Sequence, residues 1–169
     1  MPLRDDGPTD TRHAREIDLS TVIHAPVDRI LHAFFDREAL ARWWRATQSV
    51  TTSRPLGAYA IEWPPTRESD SVLGRLGGVF RGTVMQFDAN HGFFVADAYW
   101  LPPDGDPIGP MALEVTCWPD RARAAMSHVH VSQTGFEESP RWGRYYSRMS
   151  VEWALALAHL KSLLEPVQG

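Results

Sequence analysis

The feature that most limits the possible folds lies near the end of the chain. From Arg144 to about Leu164 there is neither glycine nor proline, and Tyr146, Met149, Trp153, Leu157, Leu160 and Leu164 recur at steps of three and four residues, the spacing that lines apolar side chains along one face of a helix. About twenty residues at about 1.5 Å each give a helix roughly 30 Å long. Its apolar face needs a partner, and the preceding stretch, from Leu56 to Thr134, reads as strands rather than helices. A run of antiparallel strands and one long helix bury each other when the sheet, apolar on one face, curls around the helix. The expected class is therefore α+β.

The earlier part of the chain supplies one more strand and two short helices. Ile17, Leu19, Thr21 and Ile23 alternate with polar partners over 16–24, the period of a strand with one buried face. Pro26 is placed to open a helix as its first residue, with Val27, Ile30, Leu31, Phe34 and Phe35 at helical spacing. Asp36 is the expected N-cap of a second helix that ends in Trp43-Trp44, with Glu38 in its first turn against the positive end of the helix dipole. Further on, strands are expected over 58–63, 79–87, 93–100, 111–118 and 123–133. The turn Asp88-Ala89-Asn90-His91-Gly92 has residues that tolerate positive φ, the segment 69–78 reads as a loop or frayed edge, and the loop Leu101 to Pro110 is rich in proline. Short turns between strands imply an antiparallel meander. Residues 1–14, charged and without apolar periodicity, are expected to be a flexible tail, and 15–169 a single domain.

Bulk properties exclude several functions. The net charge is −4, with 17 basic residues scattered among 21 acidic ones, so the electrostatic drive for nucleic-acid binding is missing. The single cysteine, Cys117, can form neither an internal disulfide nor a multi-cysteine metal site, and its strand neighbours Val115 and Trp118 mark it as packing rather than a nucleophile. No apolar run is long enough to span a bilayer, and the start of the chain has no signal-peptide core. A cytoplasmic protein without cofactor is expected. Seven tryptophans are the outlier, because indole gathers where an apolar wall meets a polar contact, as in pockets and interfaces.

The order strand, two short helices, strands and long helix resembles a known group, together with Ala25-Pro26, the segment from Asp36 to Trp43-Trp44, Gly82-Thr83-Val84 leading to Phe87-Asp88, and Gln133-Thr134-Gly135-Phe136. It is similar to the START/SRPBCC superfamily, with the helix-grip fold of the birch-pollen allergen, and within it to bacterial single-domain homologues of the activator of the heat-shock-protein-90 ATPase. The resemblance runs from about residue 16 to 166. It implies a curved seven-stranded antiparallel sheet gripping the C-terminal helix, with a cavity between them that the two short helices help to close. Members of that superfamily bind lipids, sterols, polyketides or plant hormones; a minority catalyse cyclisation, dehydration or ring hydroxylation. Chaperone stimulation belongs to a larger eukaryotic relative with an additional domain. One departure is Asp97, where an aromatic residue is usual.

With the sheet curled around the helix, Trp44, Tyr59, Trp63, Tyr99, Tyr146, Met149 and Trp153 are candidates to line that cavity. Such a wall suits a flat, mostly apolar ligand held by stacking and one or two phenol or indole hydrogen bonds; the competing reading is a filled core. Asp97 is the ionisable candidate. Facing inward without a cation it would have a raised pKa and could act as acid or base or hold a ligand hydroxyl; facing outward it would pair with an arginine on an adjacent strand, and Glu62 and Arg81 share the ambiguity. His128-Val129-His130 places two imidazoles on one strand face, a chelating spacing, but the resemblance, with Gln133-Thr134-Gly135-Phe136 at the family's strand end, implies Val129 and Val131 inward and both histidines outward. No nucleophile elbow or phosphate-cradling glycine loop is present. Three functions follow: a container for a small hydrophobic or aromatic molecule; a cyclase, dehydratase or hydrolase of the same fold using Asp97; or a partner-binding protein acting on a chaperone or as a homodimer.

Overall fold

A computed structural model describes residues 15–167; the expected tail, 1–14, lies outside the described residues. The first strand, β1 (Ile17–Ile23), leads into α1 (Val27–Ala33) and α2 (Arg37–Trp43). Pro26 sits one position earlier than expected, as the extended residue just before α1, where no side chain caps the helix. Asp36 caps α2: its carboxylate accepts from the Ala39 N–H at 2.8 Å, satisfying one of the donors a helix start leaves free.

Strands follow in the order β2 (Gln48–Thr51), β3 (Ala58–Trp63), β4 (Ser69–Asp70), β5 (Gly74–Arg75), β6 (Gly78–Asp88), β7 (Gly92–Leu101), β8 (Ile108–Pro119) and β9 (Ser127–Thr134), and α3 (Pro140–Leu164) closes the chain. Seven strands form one antiparallel sheet in the order β1-β9-β8-β7-β6-β3-β2, while β4 and β5 pair as a separate small hairpin. Strand β2 was not legible in sequence. It is an edge strand, half exposed and without apolar alternation, and it exists through its pairing with β3, Gln48 opposite Glu62 to Thr51 opposite Tyr59. Helix α3 begins four residues before the expected start, because Pro140 occupies the first turn, where its missing N–H is harmless, and Ser139 caps it by accepting from the Trp142 N–H.

The core lies between sheet and helix. Trp153, Ala156, Leu157, Leu160 and Leu164 form the buried face of α3, which packs on β1 and α2. Under α1 the rings of Phe34, Phe35, Tyr59 and Phe93 meet at centroid distances of 4.8 to 5.6 Å.

One irregularity sets what faces inward. Along β7, Phe93 and Val95 are buried, and regular alternation would continue with Asp97 and Tyr99. Instead the register with β8 shifts between Val95 and Ala98, and Asp97 adopts φ 52°, a left-handed conformation that the short Asp side chain tolerates better than most. This β-bulge adds one residue to the strand. Ala98 and Trp100 therefore take the buried positions, and Asp97 is exposed.

Candidate functional site

A hollow of about 310 Å³ lies between α3 and the half of the sheet that carries β3, β6 and β7. Trp44, the C-cap of α2, and Trp63, the last residue of β3, form one wall with Trp153 of α3: Trp44 lies 4.7 Å from Trp153 and 5.3 Å from Trp63 between ring centroids. Trp100 and Tyr145, stacked at 5.2 Å, supply a second aromatic group. Phe80, Leu73, Leu76 and Met149 complete the apolar lining. Arg45, Pro64, Thr66 and Glu152 are exposed lining residues, so the hollow is partly open to solvent.

Hydrogen bonds hold three of the indoles in place. The Trp63 N–H donates to the Trp44 carbonyl, the Trp100 N–H to the Gly77 carbonyl and the Trp153 N–H to Gln133 Oε1, each at 2.8 Å. Gln133 is 1% exposed and in turn donates from Nε2 to Met111 Sδ at 3.2 Å and to the Tyr145 hydroxyl oxygen at 3.3 Å. Both of its N–H donors and one lone pair of its carbonyl oxygen are thereby engaged, as burial of a carboxamide requires. Burial also pushes the Tyr145 phenol well above the usual tyrosine range, with the bond from Gln133 working the other way, so the hydroxyl stays protonated.

The β4–β5 hairpin and its flanks, which contribute Thr66, Leu73, Leu76 and Gly77, cover the hollow. Two ion pairs strap this cover down: Asp70 to Arg144 of α3 at 2.7 Å, and Arg75 to Asp104 of the β7–β8 loop at 2.8 Å. The Arg144 guanidinium, helped by the Val72 and Leu73 N–H groups, holds the Asp70 carboxyl well below the usual carboxylate range. Gly77 and Gly78 make the return into β6 possible. Both have positive φ, and a Cβ on Gly77 would lie 2.2 Å from the Pro64 carbonyl oxygen, a contact no side chain could make.

Of the residues singled out from sequence, Trp44, Trp63, Met149 and Trp153 come together around the hollow. Tyr59, Asp97, Tyr99 and Tyr146 do not line it. Tyr59 is wholly buried in the packed ring cluster under α1, where its hydroxyl donates to the Phe34 carbonyl at 3.1 Å. Asp97 and Tyr99 are turned away by the β7 bulge. Tyr146 lies one step around α3 from the buried Tyr145 and packs its edge against Phe136, with the Arg15 guanidinium 5.8 Å from its ring centroid. Sequence reading missed Trp100, Gln133, Tyr145 and Arg148. Gln133 carried a signal, as a lone carboxamide on the inward parity of β9, whereas Trp100 depended on the bulge.

The remaining candidates are surface or packing features. His128 pairs with Asp120 at 2.7 Å and His130 with Asp18 at 2.8 Å, both outside the core, and the described residues contain no group of three or more side chains able to hold a metal ion. Burial pushes the Cys117 thiol up to about 12, leaving it protonated and unreactive near neutral pH. No helix among the described residues is long and apolar enough to cross a membrane.

No family model matches the chain, and no curated protein matches it. Solved structures do match. A Mesorhizobium loti protein superposes with a TM-score of 0.67 at 18% identity, over 92% of this chain and 100% of that one. An AHSA1 protein from Silicibacter pomeroyi gives 0.65 at 11% identity, over 89% and 97% of the two chains. The Aha1 dimer from Colwellia psychrerythraea gives 0.60 at 17% identity, over 92% and 99%. At these identities the likeness shows the fold. The chain has the helix-grip architecture shared by proteins that bear the Aha1 and AHSA1 names, in agreement with the resemblance read from its sequence.

Proposed function

We propose that the protein is a cytoplasmic container that holds one small, flat, largely apolar molecule in the hollow between sheet and α3. The observation that carries this reading is the hollow itself, about 310 Å³, at the small end of the roughly 300–1,000 Å³ typical of ligand sites. Three of the four indoles in its walls have their N–H groups tied to the backbone or to a buried amide, so the space is built in advance rather than opened by the ligand. Catalysis by Asp97 finds no support, since that carboxylate is exposed on the far side of a bulge from the hollow.

The test is titration with a neutral aromatic probe, naphthylmethanol, followed by quenching of tryptophan fluorescence, alongside native mass spectrometry of the freshly purified protein. Saturable one-to-one binding is expected, and Met149→Trp, which fills the hollow, should abolish it. Absence of saturable binding to the unmodified protein would overturn the reading. A second reading, self-association, is favoured by Val151 and Leu155, exposed at 58% and 52% one turn apart on α3, and by the dimeric state of the Colwellia neighbour. Sedimentation equilibrium tests it: a monomer at every concentration would dismiss it.

A further inference from the structure

The hollow holds a guanidinium N–H donor with no acceptor, and we propose that its ligand carries a carboxylate that pairs with Arg148. This deepens the container reading and rests on it.

Arg148 lines the hollow from α3, and its Nε is buried with no hydrogen-bond partner. Among the described residues its side chain makes no ion pair either. Glu152, one helical turn further on and also lining the hollow, does not close the gap, although the i,i+4 spacing would allow it. A buried cationic donor without an acceptor is unfavourable. Ligand sites are a common place for such an unmet demand, because the missing partner arrives with the bound molecule.

The neighbouring polar groups point the same way. The indole N–H groups of Trp63, Trp100 and Trp153 are already engaged, as are both N–H donors of Gln133. The Tyr145 hydroxyl oxygen accepts from Gln133, which leaves its own hydrogen with no acceptor among the described hydrogen bonds. Tyr145 and Arg148 are three residues apart on α3, hence on neighbouring turns of one helix face. The ionisable lining is cationic as well, with Arg45 and Arg148 against Glu152 alone, on a chain whose net charge is −4. A planar carboxylate on an aromatic or short apolar body answers these features together. The head meets the guanidinium edge and phenol donor, and the body lies among the rings.

Two probes of one shape separate this proposal from the container reading: naphthoic acid, ionised at neutral pH, and neutral naphthylmethanol. The acid is expected to bind the unmodified protein about tenfold more tightly than the alcohol, the scale of one charge-assisted hydrogen bond. In Arg148→Met, which keeps an apolar stem, the two probes should bind within about twofold of each other, because the acid loses its charged partner. Circular dichroism and a cooperative thermal transition show that the variant is folded. Equal binding of acid and alcohol by the unmodified protein would overturn the carboxylate and leave the container standing, as would an acid preference that survives Arg148→Met. Failure of both probes would overturn the container and the carboxylate with it.

Discussion

The two ends of the wrapped sheet use the same kind of side chain and come out differently. Under α1, four rings from the turn after α1, β3 and β7 converge with centroids 4.8 to 5.6 Å apart, and none of them lines the hollow. At the other end the rings pair just as closely, at 4.7 to 5.3 Å, yet the groups they form stand apart around open space. Ring content by itself does not decide between solid and hollow, and the two ends differ in how many of their rings are anchored: of the four at the solid end only Tyr59 is, by its hydroxyl to the Phe34 carbonyl. Phe34, Phe35 and Phe93 have no polar tip and are free to close on one another until packed. The indoles of Trp63, Trp100 and Trp153 are each tied by an N–H bond to a different element, and leaning inward would break it.

The contrast can be broken most directly by truncation. Phe34→Ala at the solid end should cost about 3–5 kcal/mol, because a cavity opens in close-packed surroundings. Met149→Ala, half-buried beside existing space, should cost about 1 kcal/mol or less. Urea denaturation measures both, and equal losses would mean that the two ends are packed alike. Trp153→Phe sharpens the anchoring argument. It keeps an aromatic ring but strips the buried Gln133 oxygen of its donor, for an expected loss of about 1–3 kcal/mol, whereas a loss near zero would show that the tie does not hold the wall.

The smallest expected effect concerns the cover over the hollow, which has no counterpart at the solid end. Asp70 has a depressed pKa, so its strap to Arg144 contributes in full above the unfolded carboxylate value near about 4, and is lost only as pH falls through the lower folded value. Hydrogen exchange over residues 66–76 should therefore follow intrinsic rates alone between about pH 7 and about pH 5. Asp70→Asn should raise it throughout that range while leaving β9 unchanged. Exchange that rises between those two pH values in the unmodified protein would place the control of the cover elsewhere.

Sequence alone determined the first strand, the two short helices, the longer strands of the sheet and the terminal helix, because helical and strand periods, Pro26, Asp36 and the turn at 88–92 are local signals. The inward parity of β9 came from the resemblance, through the strand end at Gln133-Thr134-Gly135-Phe136, and the regular strand agrees with it: Val129 and Val131 are buried while His128 and His130 are half-exposed. Only the tertiary structure decided the rest. Strand β2 needed β3 beside it, and Asp97 and Tyr99 were turned outward by a bulge visible only in the register with β8. Arg148 looked like any helix-surface arginine until the fold set it at the hollow with its Nε buried. Local pattern says which side chains share a face, but whether that face meets another or stands off from it depends on partners distant in the chain.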